Sequence, residues 1–302
     1  MTREELNKNI QEEIQDEVKT NRRKKIIKLS IKIIIFLTLF FSLFFLYTTY
    51  ISTVKIGVRE YRIKSDKIPN SFNGLKIIQF SDLHFGSTMF NKEVKNMVKL
   101  SNERKPDIVV FTGDLINKNY ELSSKEQEKL IEKLKSMEAK FGKYAILGDE
   151  DNESIATIFN QSDFVILRNE YELIYNKDNN PILLIGISTK NIDIEKAYEY
   201  FKQENHNVNI YTISLIHKPD TIDEIRSTYH SDLYMAGHSH NGNIRIPFVK
   251  YSLFKRNGAI KYDQDYYKID DSELYISSGL GTPNGFRLFC RPSINFYRLS
   301  NK

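Results

Sequence analysis

Leu75-Lys76-Ile77-Ile78-Gln79-Phe80-Ser81-Asp82-Leu83-His84 is an apolar run that stops abruptly on a carboxylate and an imidazole. Its first six residues, entered through Gly74, read as a buried strand. Asp82 and His84 stand two apart just beyond it, so on an extended segment both project to one side. The design recurs downstream. Asp107–Thr112, introduced by Pro106, runs into Gly113-Asp114, and Lys143–Leu147 runs into Gly148-Asp149-Glu150-Asp151. Helical windows separate these runs: Asn91–Glu103 turns Val94, Met97, Val98 and Leu100 inward, and a helix capped by Ser123 or Ser124 extends to about Met137. Strands alternating with helices predict a parallel sheet, whose carboxyl edge is where such folds bind ligands.

The second half is richer in strands: Phe164–Leu167, Tyr171–Tyr175, Ile182–Gly186, Ile210–Ile216, Leu233–Ala236, Leu274–Ser277 and Ile294–Leu299, with helices at Ile194–Phe201 and Thr221–Thr228 and a hairpin around Asn243–Pro247. Two more polar clusters end apolar runs here, His217 in Leu215-Ile216-His217-Lys218-Pro219, and Gly237-His238-Ser239-His240. Two sheets packed face to face with helices outside accommodate this α/β count. There is no internal repeat.

Ahead of this region, Ile33–Val54 carries no charge and is long enough to cross a hydrocarbon core of about 30 Å at 1.5 Å per residue. It reads as a transmembrane helix. It exceeds the apolar core of a cleaved signal peptide, and Tyr47–Ser52 offers no small-residue cleavage site. Seven Lys and Arg between Lys19 and Lys32 precede it, against Lys55, Arg59, Arg62, Lys64 and Lys67 after it, which favours a cytoplasmic N-terminus. Leu6, Ile10, Ile14 and Val18 lie at four-residue spacing and predict a short amphipathic helix on that side. The expected organisation is residues 1–32 cytoplasmic, 33–54 in the membrane, 55–73 a linker and 74–302 one catalytic domain. The 302 residues carry a net charge of +5 with no long basic tract outside the N-terminal quarter, so no nucleic-acid partner is expected. The single cysteine, Cys290, excludes an intrachain disulfide framework.

Phosphoester hydrolysis by water is slow because the ester oxygens repel the nucleophile and the leaving group departs with charge. Two metal ions about 3.5–4 Å apart answer both problems by activating a bridging hydroxide and neutralising the developing charge. A strand-end carboxylate such as Asp114 can bridge such a pair, while Asp82 with His84, and His238 with His240, can each share an ion. Mixed imidazole and carboxylate donors suit Mn, Fe or Zn better than Mg or Ca. Four of the six histidines sit at these motif positions; His206 and His230 read as surface or loop residues.

With these segments in this order, the chain resembles the calcineurin-like metallophosphoesterase superfamily, and within it the membrane-anchored bacterial phosphohydrolases. The family pattern is Asp-x-His, Gly-Asp, Gly-Asn-His-Asp or Glu, a His, then Gly-His-x-His. Ser277-Ser278-Gly279-Leu280-Gly281, Arg287, Phe289 and Pro292 add to the likeness. The resemblance implies a four-layer αββα sandwich of two mixed sheets and two divalent ions. By motif position, Asp82, His84, Asp114 and His240 would serve one ion, and Asp114, Asp149, His217 and His238 the other. The third motif departs from the pattern, with Asp149 in place of Asn and Glu150 in place of the His that stabilises the leaving group. Asp114 and Glu150 are accordingly the candidate catalytic groups.

Three function classes follow: a hydrolase whose leaving group needs little protonation, such as a pyrophosphate or activated diester; a degenerate member that binds metals or phosphorylated ligands without turnover; or a membrane tether. Anchoring near a bilayer makes phosphorylated small molecules or lipids the expected substrates. Arg287 and Arg291 are candidate phosphate contacts or, equally, surface ion-pair partners. Phe248–Lys261, where aromatics alternate with Lys250, Lys255 and Arg256, is expected to form either a lip over the site or an ordinary loop.

Overall fold

In a computed structural model, which describes residues 2–203, 209–245, 252, 255–283 and 285–302, the chain divides into two units, Met1–Thr48 and Thr49–Lys302. The first unit is one helix, α1 (Arg3–Leu46), opening into a π-type turn at Tyr47–Ile51. It is long and apolar enough to be a candidate membrane span. The separate helix expected over the first twenty residues is instead the start of α1: Leu6, Ile10, Ile14 and Val18 lie on the same uninterrupted helix as the apolar segment. No Pro or Gly interrupts residues 3–46 to break it.

In the second unit, β1 (Gly57–Lys64) falls within the segment expected to be a linker. Its half-buried alternation hid it among polar residues, and it pairs in parallel with the C-terminal strand. The chain continues through β2 (Leu75–Phe80), α2 (Asn91–Asn102), β3 (Ile108–Thr112), α3 (Ser124–Lys135), β4 (Lys143–Ile146), α4 (Glu153–Gln161) and β5 (Phe164–Ile166). Next come β6 (Glu170–Ile174), β7 (Ile182–Gly186), α5 (Ile194–Ala197), β8 (Thr212–Leu215), α6 (Thr221–Arg226), β9 (Leu233–Ala236), β10 (Tyr266–Ile269), β11 (Ser272–Ile276) and β12 (Ser293–Ser300).

Two mixed six-stranded sheets result, in the orders β1-β12-β2-β3-β4-β5 and β10-β11-β9-β8-β7-β6. Strand β12 lies between β1 and β2, parallel to the former and antiparallel to the latter.

Side-chain alternation divides the core into three apolar layers. Ile78, Phe80, Val109 and Phe111 face α2, α3 and α4. Ile77, Val110 and Ile146 meet Leu184, Ile213, Leu215 and Met235 between the sheets. Leu183, Ile185, Tyr234 and Ala236 pack under the helical segment Ile194–Phe201 and α6. Burial of both faces explains why these strands are continuous apolar runs, and the outcome is the expected sandwich of two sheets between helices.

The hairpin expected around Asn243–Pro247 differs. Ile244 bridges Leu288 in parallel, with Arg245 N donating to Leu288 O at 2.9 Å, while residues 246 and 247 lie outside the described residues. Of the two histidines outside the motifs, His230 is exposed beside Asp232, and His206 lies outside the described residues.

Candidate metal centre

Five parallel strands deliver the polar clusters to one place. Asp82 follows β2, Asp114 follows β3, Asp149 follows β4, His217 follows β8 and His238 follows β9, each two or three residues past the strand end. The backbone there is unusual. Asp82, His84, Asp114, His238 and His240 all adopt positive φ, between 40° and 64°. Left-handed backbone in non-glycine residues is costly and clusters at functional sites, where the surroundings over-determine it. Glycines supply the room: a Cβ on Gly148 would lie 2.1 Å from Asp114 Oδ1, and one on Gly237 2.1 Å from Ser81 Oγ and 2.7 Å from Asp82 Oδ2.

The donors gather into groups compact enough to hold an ion: Asp114, Asp149, His217 and His238; Asp82, His84 and His240; and His84, Asp114 and Glu150. His217 Nε2 lies 3.2 Å from Asp114 Oδ2 and 3.0 Å from Asp149 Oδ1, and His238 Nδ1 is 3.3 Å from the same Asp149 oxygen. His240 Nε2 is 3.3 Å from Asp82 Oδ1, and His84 Nε2 is 3.8 Å from Asp114 Oδ2.

The outward ring nitrogens fix the inward ones. His217 Nδ1 donates to Thr112 O at 2.7 Å and His238 Nε2 to Asn257 O at 2.8 Å, which leaves Nε2 and Nδ1, respectively, aimed inward.

This donor set fits divalent cations. Ring nitrogens meet at 3.1 Å (His84 Nε2 and His240 Nε2) and 3.2 Å (His238 Nδ1 and His217 Nε2) among buried carboxylates. Asp149 Oδ1 is buried without a hydrogen bond, a cost that native structures avoid unless something else satisfies the group.

The electrostatics agree. Burial alone would raise the Asp82 carboxyl, but His240, His217 and His84 hold it well below the usual carboxylate range. Asp149 is likewise held low against its burial by His217 and His238. Burial pushes His240 down to about 3, toward the neutral form that ligates metals. His217, against its own desolvation, is raised by Asp114 and Asp149; its proton stands where a cation between those carboxylates would.

Asp151, quoted with the third motif but given no role from sequence, is a missed positioning residue. Its buried carboxylate accepts from Asp114 N (2.8 Å), Leu115 N (2.9 Å) and Gly148 N (2.8 Å), tying the second and third motifs together. Burial and the Asp114 charge push it up to about 6. Its place as the fourth residue of the third motif, Asp or Glu in the family pattern, was the signal available. Gln79 is a second. Its amide donates to Thr112 Oγ1 and Ala236 O and accepts from Asn295 and Tyr297, joining both sheets directly beneath the site.

Glu150 N donates to Asp114 Oδ1 at 3.0 Å, and its Oε2 lies 3.3 Å from His84 Nδ1, the nitrogen turned away from His240.

The expectation for Arg287 as a phosphate contact is corrected. Its guanidinium is fully buried and donates to Ser278 O, Gly279 O, Gly281 O and Thr282 Oγ1. All those donors are used to hold the loop behind His240. Arg291 is exposed and does not line the cavity beside the donors. That cavity, about 640 Å³, is lined by Asp149, Glu150 and His238 on one side and by Lys218, Arg256 and Phe286 among others. Of the expected lip, Phe248, Lys250, Tyr251, Leu253 and Phe254 lie outside the described residues, whereas Lys255–Lys261 border this cavity or follow it.

A mixed αββα sandwich with aspartates and histidines at the carboxyl edges of both sheets defines a metallophosphoesterase class. Residues 75–242 match the family model for calcineurin-like phosphoesterases, and the chain belongs to that family of phosphoester hydrolases.

Among curated proteins it is similar to the uncharacterized metallophosphoesterase YkuE of Bacillus subtilis, at 29% identity over 84% of this chain and 89% of that one. It is also similar to the UDP-2,3-diacylglucosamine pyrophosphatase LpxG of Chlamydia muridarum, at 26% identity over 77% and 86%. Similarity to the phosphodiesterase YaeI of Escherichia coli is 24% over 74% and 82%.

Proposed function

We propose that the protein hydrolyses phosphoester or pyrophosphate bonds of small-molecule or lipid substrates at a membrane surface, through a centre of two divalent ions, with Mn, Fe or Zn matching the donors. The observation that carries this is Asp114, which groups with Asp149, His217 and His238 and also with His84 and Glu150, its Oδ2 lying 3.2 Å from His217 Nε2 and 3.8 Å from His84 Nε2. By this reading Asp82, His84, Asp114 and His240 hold one ion and Asp114, Asp149, His217 and His238 the other. Bound ions would supply Lewis acidity and a water activated for attack.

The protein's own groups orient and position. Thr112 O and Asn257 O set the His217 and His238 tautomers, and Glu150 bears on the outer nitrogen of His84 as carboxylate partners of ligating histidines do. A carboxylate in that place supports a substrate whose leaving group needs little protonation, such as one phosphate leaving another. The name of the relative LpxG, a UDP-2,3-diacylglucosamine pyrophosphatase, points the same way. By this reading residues 55–302 lie outside the cytoplasm, the orientation that the charge bias around the apolar segment of α1 favours.

Full-length protein purified in detergent should contain about two divalent ions by elemental analysis and hydrolyse one of a panel of diesters, monoesters and diphosphates. Asp114→Asn should lose at least one ion and about 100-fold or more in kcat/KM. Wild-type protein free of metal after Mn or Zn loading would defeat the proposal. Full occupancy with no turnover across the panel would favour instead a degenerate binding protein, the reading that Glu150 at the motif position supports.

A further inference from the structure

Formal charge at the site leaves a question of how an anion is attracted. Asp82, Asp114, Asp149 and Glu150 contribute four carboxylates, enough to cancel two divalent ions, so the centre itself offers a phosphate no net positive field. Among the described residues three cations line the adjoining cavity; of these, Lys218 is engaged with Asp149 Oδ2 at 3.3 Å and exposed Lys255 donates to Ile260 O at 2.8 Å. Arg256 is half-buried and, among the described residues, has no carboxylate within ion-pair distance.

Arg256 is also held in place. The next carbonyl, Asn257 O, accepts from His238 Nε2, and Gly258 O accepts from Asp220 N at 2.9 Å. Asp220 accepts in turn from Ile260, Lys261 and Tyr262 N–H groups at 2.7–3.1 Å. The segment is thus tied at one end to a donor of the metal centre and at the other to the start of α6.

We infer that Arg256 is the anion-recognition residue of this site, holding the non-bridging oxygens of a phosphoryl group presented to the metal centre. This rests on the proposed function and deepens it. Guanidinium offers phosphate paired parallel hydrogen bonds, and with Ile244, Pro283 and Phe286 on the same cavity the binding surface suits a phosphate carried on an apolar group.

The test uses full-length protein in detergent, loaded with Mn, with its metal content measured, and titrated calorimetrically with inorganic phosphate. Arg256→Gln should weaken phosphate binding about 10- to 100-fold, as expected for loss of a charged hydrogen bond, with ion content unchanged. Arg256→Lys should recover part of the loss, and Lys125→Gln on α3, of equal charge change, should bind as wild type. Wild-type phosphate affinity in Arg256→Gln with both ions retained would overturn the inference and leave the metal centre standing. Loss of ions in Arg256→Gln would assign the residue to the fold and also overturn it. A wild-type protein that holds no ions would instead overturn the proposed function.

Discussion

The two sheets furnish the site with opposite chemistry. Loops after β2, β3 and β4 bring Asp82, Asp114, Asp149 and Glu150 with a single imidazole, His84; loops after β8 and β9 bring His217, His238 and His240, with Lys218 beside them and Arg256 beyond. The acidic wall is self-repelling and is held by backbone N–H donors: Asp82 accepts from His238 N at 3.0 and 3.1 Å, Asp114 from Glu150 N, and Asp151 from three amides. The basic wall is held through carbonyls that accept from its rings. One wall therefore depends on tight backbone turns and the other on ring orientation, and substitutions should separate them.

The largest effect is expected on the acidic wall. Gly148→Ala places a Cβ 2.1 Å from Asp114 Oδ1, which must move. Activity should fall about 100-fold, since a displacement of about 1 Å costs that much, measurable as kcat/KM on whichever panel substrate is turned over. If Gly148→Ala stays within about threefold of wild type, Asp114 does not carry the centre. Asp151→Asn should be next. Turning an amide toward three N–H donors leaves at least one buried donor unpaired, costing about 1–3 kcal/mol, read as a lowered denaturation midpoint in urea with an unchanged slope. The same substitution should reduce ion content less than Asp114→Asn does, because it loosens the turn without removing a donor. The smallest effect lies outside the cavity: Arg291→Gln should leave both stability and phosphate affinity within about twofold of wild type. A larger change would return Arg291 to the role its residue type first suggested.

These contrasts also explain what could be read from sequence. The double-sided burial of β2, β3, β7 and β9 writes itself as apolar runs, and their carboxyl ends locate the motif residues without any tertiary information. Strand β1 and strand β10 were illegible because one face of each stays half-exposed, so polar residues interrupt the pattern. Helix α4 was overlooked because the third motif runs straight into its cap, Asn152, whose side chain accepts from Ser154 N at 2.9 Å. Arg287 was misjudged for a different reason. An arginine near a phosphate motif suggests recognition, and only the fold shows its guanidinium enclosed by carbonyls of the 278–281 turn. Asp151 and Gln79 act through backbone and amide groups that no spacing rule exposes.

The seating of β12 between β1 and β2 bears on biosynthesis. A ribosome delivers those two earlier strands more than two hundred residues before the piece that joins them, so a nascent or prematurely terminated polypeptide leaves both with unpaired edges. Such edges recruit other strands. Loss of residues 293–302 should therefore yield insoluble material rather than a weakened enzyme, because translation must reach β12 before either edge is covered.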